Sequence, residues 1–229
     1  MLTMKRLLLK TVAATMLVAI MPIFPAWAQQ SSQNWTSCNN EGDAVTLDVQ
    51  IAACSAIITA HSESSKNMAS AYNKRGLAYY KNGDDDHAIA DFSQSIKLNA
   101  RDAIVFINIG DAYTDKGDYD TAIPNFNNAI FMNPQLAAAF LGRGNAELGK
   151  DDYGKANSDF DQAIEMDPKS AAALVGRGTV YSRRGDYDHA IADFNAAISL
   201  DPKSVRAITG LGDIYFIKHD YDGAITSYS

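Results

Sequence analysis

Residues 71–100 read AYNKRGLAYYKNGDDDHAIADFSQSIKLNA, and residues 173–202 read ALVGRGTVYSRRGDYDHAIADFNAAISLDP. The second stretch lies three periods of 34 residues beyond the first, and the frame recurs between and after them. Gly76, Gly110, Gly144, Gly178 and Gly212 keep that step, as do Ala88, Ala122, Ala156, Ala190 and Ala224. So do the aromatics Phe92, Phe126, Phe160, Phe194 and Tyr228. Several coincident series at one period of this size mark an array of stacked supersecondary units, each too small to bury its apolar face alone.

Within one unit the apolar spacing predicts two helices. Tyr72, Gly76 and Tyr79 stand at i, i+4 and i+7, then Ala88, Phe92, Ser95 and Ile96 at i, i+4, i+7 and i+8. Lys81–Asp84 separates them, and the motif returns as Lys116-Gly117-Asp118 and Arg184-Gly185-Asp186. Glycine can take the left-handed conformation that ends a helix, and a base suits its carbonyl end. The aspartates then fall where a second helix begins and its free amides favour an anion. Asp167-Pro168 and Asp201-Pro202 stop the second helix, and Ser170 and Ser204 are candidate caps for the next.

Aromatic or apolar, Gly, Tyr, Ala, aromatic, Ala and Pro in a 34-residue frame resemble the tetratricopeptide repeat. The resemblance covers 69–102, 103–136, 137–170, 171–204 and a partial unit at 205–229. It departs locally, with Ala100 for the proline of the first copy and Glu147 for the tyrosine of the third. The implied fold is all-α, a right-handed α-solenoid of antiparallel helix pairs whose first helices line a concave groove. Members that clamp a chaperone's terminal carboxylate use a set of Lys, Asn and Arg. Only Asn108 matches here, with Ala138 and Gly142 where later basic groups belong, so that partner is not expected.

Ahead of the array, Met1–Lys10 carries Lys5, Arg6 and Lys10, followed by the uncharged run Thr11–Phe24 and the small-x-small triplet Ala26-Trp27-Ala28. This is the layout of a secretory signal peptide over residues 1–28. An uncleaved anchor is the competing reading, but the run is short for a span of roughly 20 apolar residues. The expectation is therefore export, to the periplasm or the extracellular space, with no stable membrane span after cleavage. The wider layout resembles exported repeat proteins of Gram-negative bacteria. Residues 29–68 form a leader in which 48–54 aligns on 86–92, placing Cys54 in the aromatic slot and predicting a lone capping helix at about 45–60. Cys38 and Cys54 are the only cysteines, and their even count in an exported chain predicts a disulfide, with two buried thiols as the alternative. Closing so short a loop adds about 3 kcal/mol by restricting the unfolded chain. The other end stops one residue past Tyr228, which reads as a truncated unit or an open end for self-association.

The chain carries 20 Lys and Arg against 27 Asp and Glu; removing the three leading bases leaves 17 against 27, a formal charge of −10. That balance excludes binding through nucleic-acid phosphates. Many of the acids sit in inter-helix turns, where helix starts account for them. A second set varies together. Arg75, Arg143 and Arg177 precede the periodic glycine in the same copies in which Asp91, Asp159 and Asp193 precede the phenylalanine. Copy two has Ile109 with Asn125, and copy five Leu211 with Ser227. An ion pair joining the two helices within each of three copies is expected.

Catalytic and cofactor signals are weak. His87 and His189 share a frame position three copies apart, too distant for one metal, and read as surface residues. Gly142-x-Gly144, Gly176-x-Gly178 and Gly210-x-Gly212 lack the strand and third glycine of a dinucleotide loop. No metal, cofactor or catalytic residue is expected. The reading is a non-catalytic scaffold that binds a protein or peptide, the alternative being the interaction part of a larger enzyme or transport or assembly subunit. Groove candidates form one row at Asn73, Ile107, Leu141 and Val175, with Asn108 beside it. A second row runs through Leu77, Asp111, Asn145, Thr179 and Asp213, and a third through Tyr80, Thr114, Leu148, Ser182 and Phe216. Gly142, Gly176 and Gly210 either keep the adjoining strip low for a bound backbone or only relieve packing.

Overall fold

In the computed structural model, which describes residues 26–228, each unit is two helices joined by a tight turn, and no β-strand occurs among the described residues. The array proper pairs α3 (Ser65–Lys81) with α4 (Asp85–Leu98), α5 (Ala103–Asp115) with α6 (Tyr119–Met132), and α7 (Ala137–Gly149) with α8 (Tyr153–Met166). It continues with α9 (Ala171–Arg183) and α10 (Tyr187–Leu200), then α11 (Val205–Ile217) and α12 (Tyr221–Tyr228). Each turn is set by local chemistry. Gly83, Gly117 and Gly185 take φ of 75°, 75° and 79°, and Asp151 and His219 hold the same frame position at 60°. The next aspartate caps the second helix: Asp84, Asp118, Asp152 and Asp186 accept from the amides of His87, Thr121, Lys155 and His189. Ser170 caps α9 in the same way, whereas Ser204, expected to cap α11, makes no side-chain bond there.

The N-terminal leader differs from the expected lone helix. It is a helix pair, α1 (Ala26–Asn39) and α2 (Leu47–Ala60), that packs on α3. Cys38 and Cys54 are joined by a disulfide and buried with Ala53, Ile57, Ile58 and Ala71. Gln50 ties the pair further, donating to the Cys38 carbonyl at 3.0 Å. Helix α1 gave no periodic signal because QQSSQNWTSCN offers Trp35 and Cys38 and little else apolar. The export segment expected over 1–28 lies outside the described residues except for its last three, which begin α1.

Stacking rests on one repeated contact. Phe92, Phe126, Phe160 and Phe194 are at most 2% exposed. Each ring lies against the periodic glycine of its own unit, and Phe126, Phe160 and Phe194 also touch Gly142, Gly176 and Gly210 of the next. A β-carbon at Gly176 would stand 2.4 Å from the Phe160 ring, so these glycines make room for the preceding aromatic. Gly142 and Gly176 are buried beneath it, and the reading in which they keep a strip low for a ligand backbone is replaced. Successive first helices touch directly (α3–α5, α5–α7, α7–α9, α9–α11), while successive second helices make no comparable contact. The first helices are therefore the inner, concave layer.

A second repeated contact is the arginine fork. Arg75, Arg143 and Arg177 each donate from Nε and Nη2 to both oxygens of Asp91, Asp159 and Asp193, at 2.7–2.9 Å. The pairing lies within the unit. The remaining Nη1 reaches back to the preceding second helix, at Ser55, Asn127 and Asp161. One guanidinium thus joins three helices. An exposed lysine ladder runs parallel to it, from Lys81, Lys116, Lys150 and Lys218 to Asp43, Asp86, Asp120 and Asp188 of the preceding unit. Such surface pairs contribute about 0–1 kcal/mol each.

Asp159 has a side chain 6% exposed and is the acceptor for two of the three fork donors. Removing one partner of a buried pair strands the other charge. Asp159→Ala is expected to lower unfolding free energy by about 3 kcal/mol in denaturant titration while leaving the cleft residues in place; a loss within the error of the titration would show that the fork does not hold the copy together.

Candidate functional site

The concave layer contains a cleft of about 380 Å³ where α5, α7, α9 and α11 face each other. Its lining includes Thr114, Asp115, Asn145, Leu148, Thr179, Arg183 and Arg206, with Tyr119 entering from α6. Asn145, Leu148 and Thr179 from the anticipated rows lie in it. The first anticipated row does not. Ile107 and Val175 are 6% and 4% exposed and belong to the cores between units. Leu141 packs beside Ala156 and Phe160. Asn73 is half-buried and accepts from Asn108 Nδ2 at 3.1 Å, so two groove candidates satisfy one another across α3 and α5.

Other candidates line the inner face at its edges. Ser182 is half-buried on α9 but is not among the cleft's lining residues. Tyr80 donates its hydroxyl to Asp115 at 2.5 Å. Burial raises its pKa, and that acceptor adds to the effect. The hydroxyl of Thr179 is turned inward to the Val175 carbonyl at 2.7 Å, leaving its methyl for the cleft. Missed by the sequence reading were Asp115, Gly149 and Arg183, which share one frame position, and Arg206 on the following unit. The signal was available: these residues sit one place beyond Thr114, Leu148 and Ser182, on the last turn of each first helix.

Charge in this region is uneven. Asp111, one turn before Asp115 on α5, accepts no hydrogen bond from a described residue. Burial, with the neighbouring Asp115 charge, pushes its carboxyl up from 3.8 to about 7. Arg183 and Arg206 donate no side-chain hydrogen bond to a described residue, unlike the three fork arginines.

The histidines have a structural role. His87 stacks on Tyr79 at 5.1 Å and contacts Asp84 at 2.7 Å; His189 repeats this with Tyr181 at 5.2 Å and Asp186 at 2.9 Å. In the third copy both ring positions change together. Glu147 replaces the tyrosine, and Lys155, at the histidine's position, approaches it at 3.8 Å. Among the described residues no cluster of His, Cys, Asp and Glu can hold a metal ion.

Comparison with known proteins agrees with this geometry. Family models described as tetratricopeptide repeat match residues 69–102, 141–205 and 175–229, and one described as TPR repeat matches 110–151. No curated protein sequence matches the chain. A crystal structure of MamA is 26% identical, with 67% of this chain aligned to 90% of that one at a TM-score of 0.57. A tetratricopeptide repeat protein from Parabacteroides merdae aligns over 87% of this chain and 77% of its own, at 22% identity and a TM-score of 0.71. A thermophilic TPR protein from Thermus thermophilus aligns over 70% and 88%, at 22% identity and a TM-score of 0.62.

Asp111 binds its proton more tightly when folded than when unfolded, so stability is full below its ordinary pKa of 3.8 and declines as pH rises through about 7. Asp111→Asn is expected to flatten that part of the pH profile and to raise Tm at pH 8. Parallel melting curves for variant and parent from pH 4 to 8 would contradict the assignment.

Proposed function

From a chain that belongs to the tetratricopeptide-repeat family, a family of non-catalytic protein-interaction scaffolds, we propose that the concave cleft between α5 and α11 receives an extended segment of another protein. The observation that carries this is the cleft itself. It mixes the apolar side chain of Leu148 with the amide of Asn145, the hydroxyl-bearing Thr114, Tyr119 and Thr179, and charges at its borders, a composition suited to an extended peptide. Because the cleft is built from helices fixed by the buried phenylalanines and arginine forks, binding needs no large rearrangement.

The chain is further proposed to act in the bacterial envelope, most simply the periplasm. The basic start, apolar run and Ala26-Trp27-Ala28 triplet support export. The Cys38–Cys54 disulfide supports an oxidising compartment. No helix among the described residues is long and apolar enough to cross a membrane.

Affinity purification from a periplasmic fraction, with the Asn145→Ala, Leu148→Ala double variant beside the parent, tests both parts. The parent is expected in that fraction with a partner whose recovery falls several-fold in the variant. Equal recovery would place binding elsewhere, and a chain confined to the cytoplasm with free thiols would remove the envelope reading.

A further inference from the structure

The cleft carries opposite charges at its two ends. Toward α5 stands Asp115, with Asp111 one turn earlier on the same face and just outside the lining; toward α9 and α11 stand Arg183 and Arg206. The two arginines are exposed and differ from those of the forks. Arg75, Arg143 and Arg177 on other first helices each donate to both oxygens of an aspartate. Arg183 and Arg206 line the same cleft and donate to no described side chain or carbonyl, so ten guanidinium N–H donors remain available there. At the acidic end one oxygen of Asp115 is taken by Tyr80, and Asp111 accepts no hydrogen bond from a described residue. The remaining rim carboxylate, Asp151, accepts from Tyr153 at 2.8 Å.

Resting on the groove function above, we propose that the partner segment is an extended peptide with a Lys or Arg side chain seated against Asp111 and Asp115 and an acidic group held by Arg183 and Arg206. The distance between the two ends sets a spacing. Helix α5 packs on α7, and α7 on α9. Packed helices lie 8–10 Å apart, so the ends are roughly 16–20 Å apart. An extended chain advances about 3.3 Å per residue, which places the base and the acid about five or six residues apart. Charge-assisted bonds at both ends fix register, while Leu148 between them takes an apolar side chain. A cation beside Asp111 also offsets the desolvation and the Asp115 repulsion that raise its pKa.

Selection of random twelve-residue peptides displayed on phage against the purified full chain tests this directly. The parent is expected to enrich peptides carrying a base and an acid four to seven residues apart, in one consistent order. The Asp111→Asn, Asp115→Asn variant should lose only the preference for the base, and the Arg183→Gln, Arg206→Gln variant only that for the acid. A synthetic peptide from the parent's selection should bind each variant about tenfold more weakly. Enriched peptides that depend on Asn145 and Leu148 but carry no such charge pair would overturn this inference and leave the groove function standing. Peptides indifferent to Asn145 and Leu148 would overturn both.

Discussion

One aromatic ring per unit, held between two glycines in three of the units, is the contact on which the solenoid depends. Phe126 lies against Gly110 of its own first helix and Gly142 of the next, and Phe160 and Phe194 repeat the arrangement. Only a residue without a β-carbon lets a first helix come so near the ring, and the ring fills the space that closeness would otherwise leave empty. The contact links both helices of one unit to the first helix of the next. A hairpin of this size cannot bury its apolar face alone, so propagation of this contact supplies a continuous core to units that have none of their own. The concave surface is its consequence: first helices are drawn against one another, second helices are left apart, and the inner wall curves.

The arginine fork acts on the same three helices but contributes something different. Burial of an ion pair adds little net stability, since desolvation offsets most of the attraction. What a planar guanidinium with two carboxylate bonds and a third bond backwards does provide is orientation. It sets the angle between units at three of the junctions, from Ser55, Asn127 and Asp161 onward to Asp91, Asp159 and Asp193. The second unit does without it, having Ile109, 6% exposed, in the arginine's place. The junction there is apolar on one side and tied by Asn108 to Asn73 on the other. Leu211 holds the same place in the fifth unit, so two junctions lack the fork, and Asp111 and Asp115 stand on α5 beside the first of them.

Much of this was legible in the periodicity, because each position of the frame repeats its environment. The ten array helices, the turn glycines, the aspartate caps and the Arg–Asp pairs all follow from residue type at a fixed step. What escaped was whatever depends on how closely neighbouring units approach. Ile107 and Val175 occupy a frame position at the shoulder between the open wall and the seam, and direct contact between first helices closes over them. The backward arm of the fork escaped for a chemical reason. Co-variation of Arg with Asp identifies one partner, but guanidinium has five donors, and its third acceptor is a serine, an asparagine or an aspartate by turns. Helix α1 escaped because its burial is supplied by the disulfide and by α2, with no apolar stripe of its own.

The distribution of charge then separates what holds the fold from what faces a partner. Nearly every aspartate at a turn caps a helix or meets a lysine of the next unit, and three arginines are consumed by forks. Of the charged groups outside those contacts, Asp115, Arg183 and Arg206 line one concave cleft. An acidic protein whose acids are mostly occupied does not attract basic partners by net charge, since screening confines exposed charges to roughly 8–10 Å. Discrimination among partners must come from the local charges that remain. At the cleft these are Asp115, with Asp111 one turn before it, on one side of Leu148 and Arg183 and Arg206 on the other, an arrangement that favours one direction of a bound chain over its reverse.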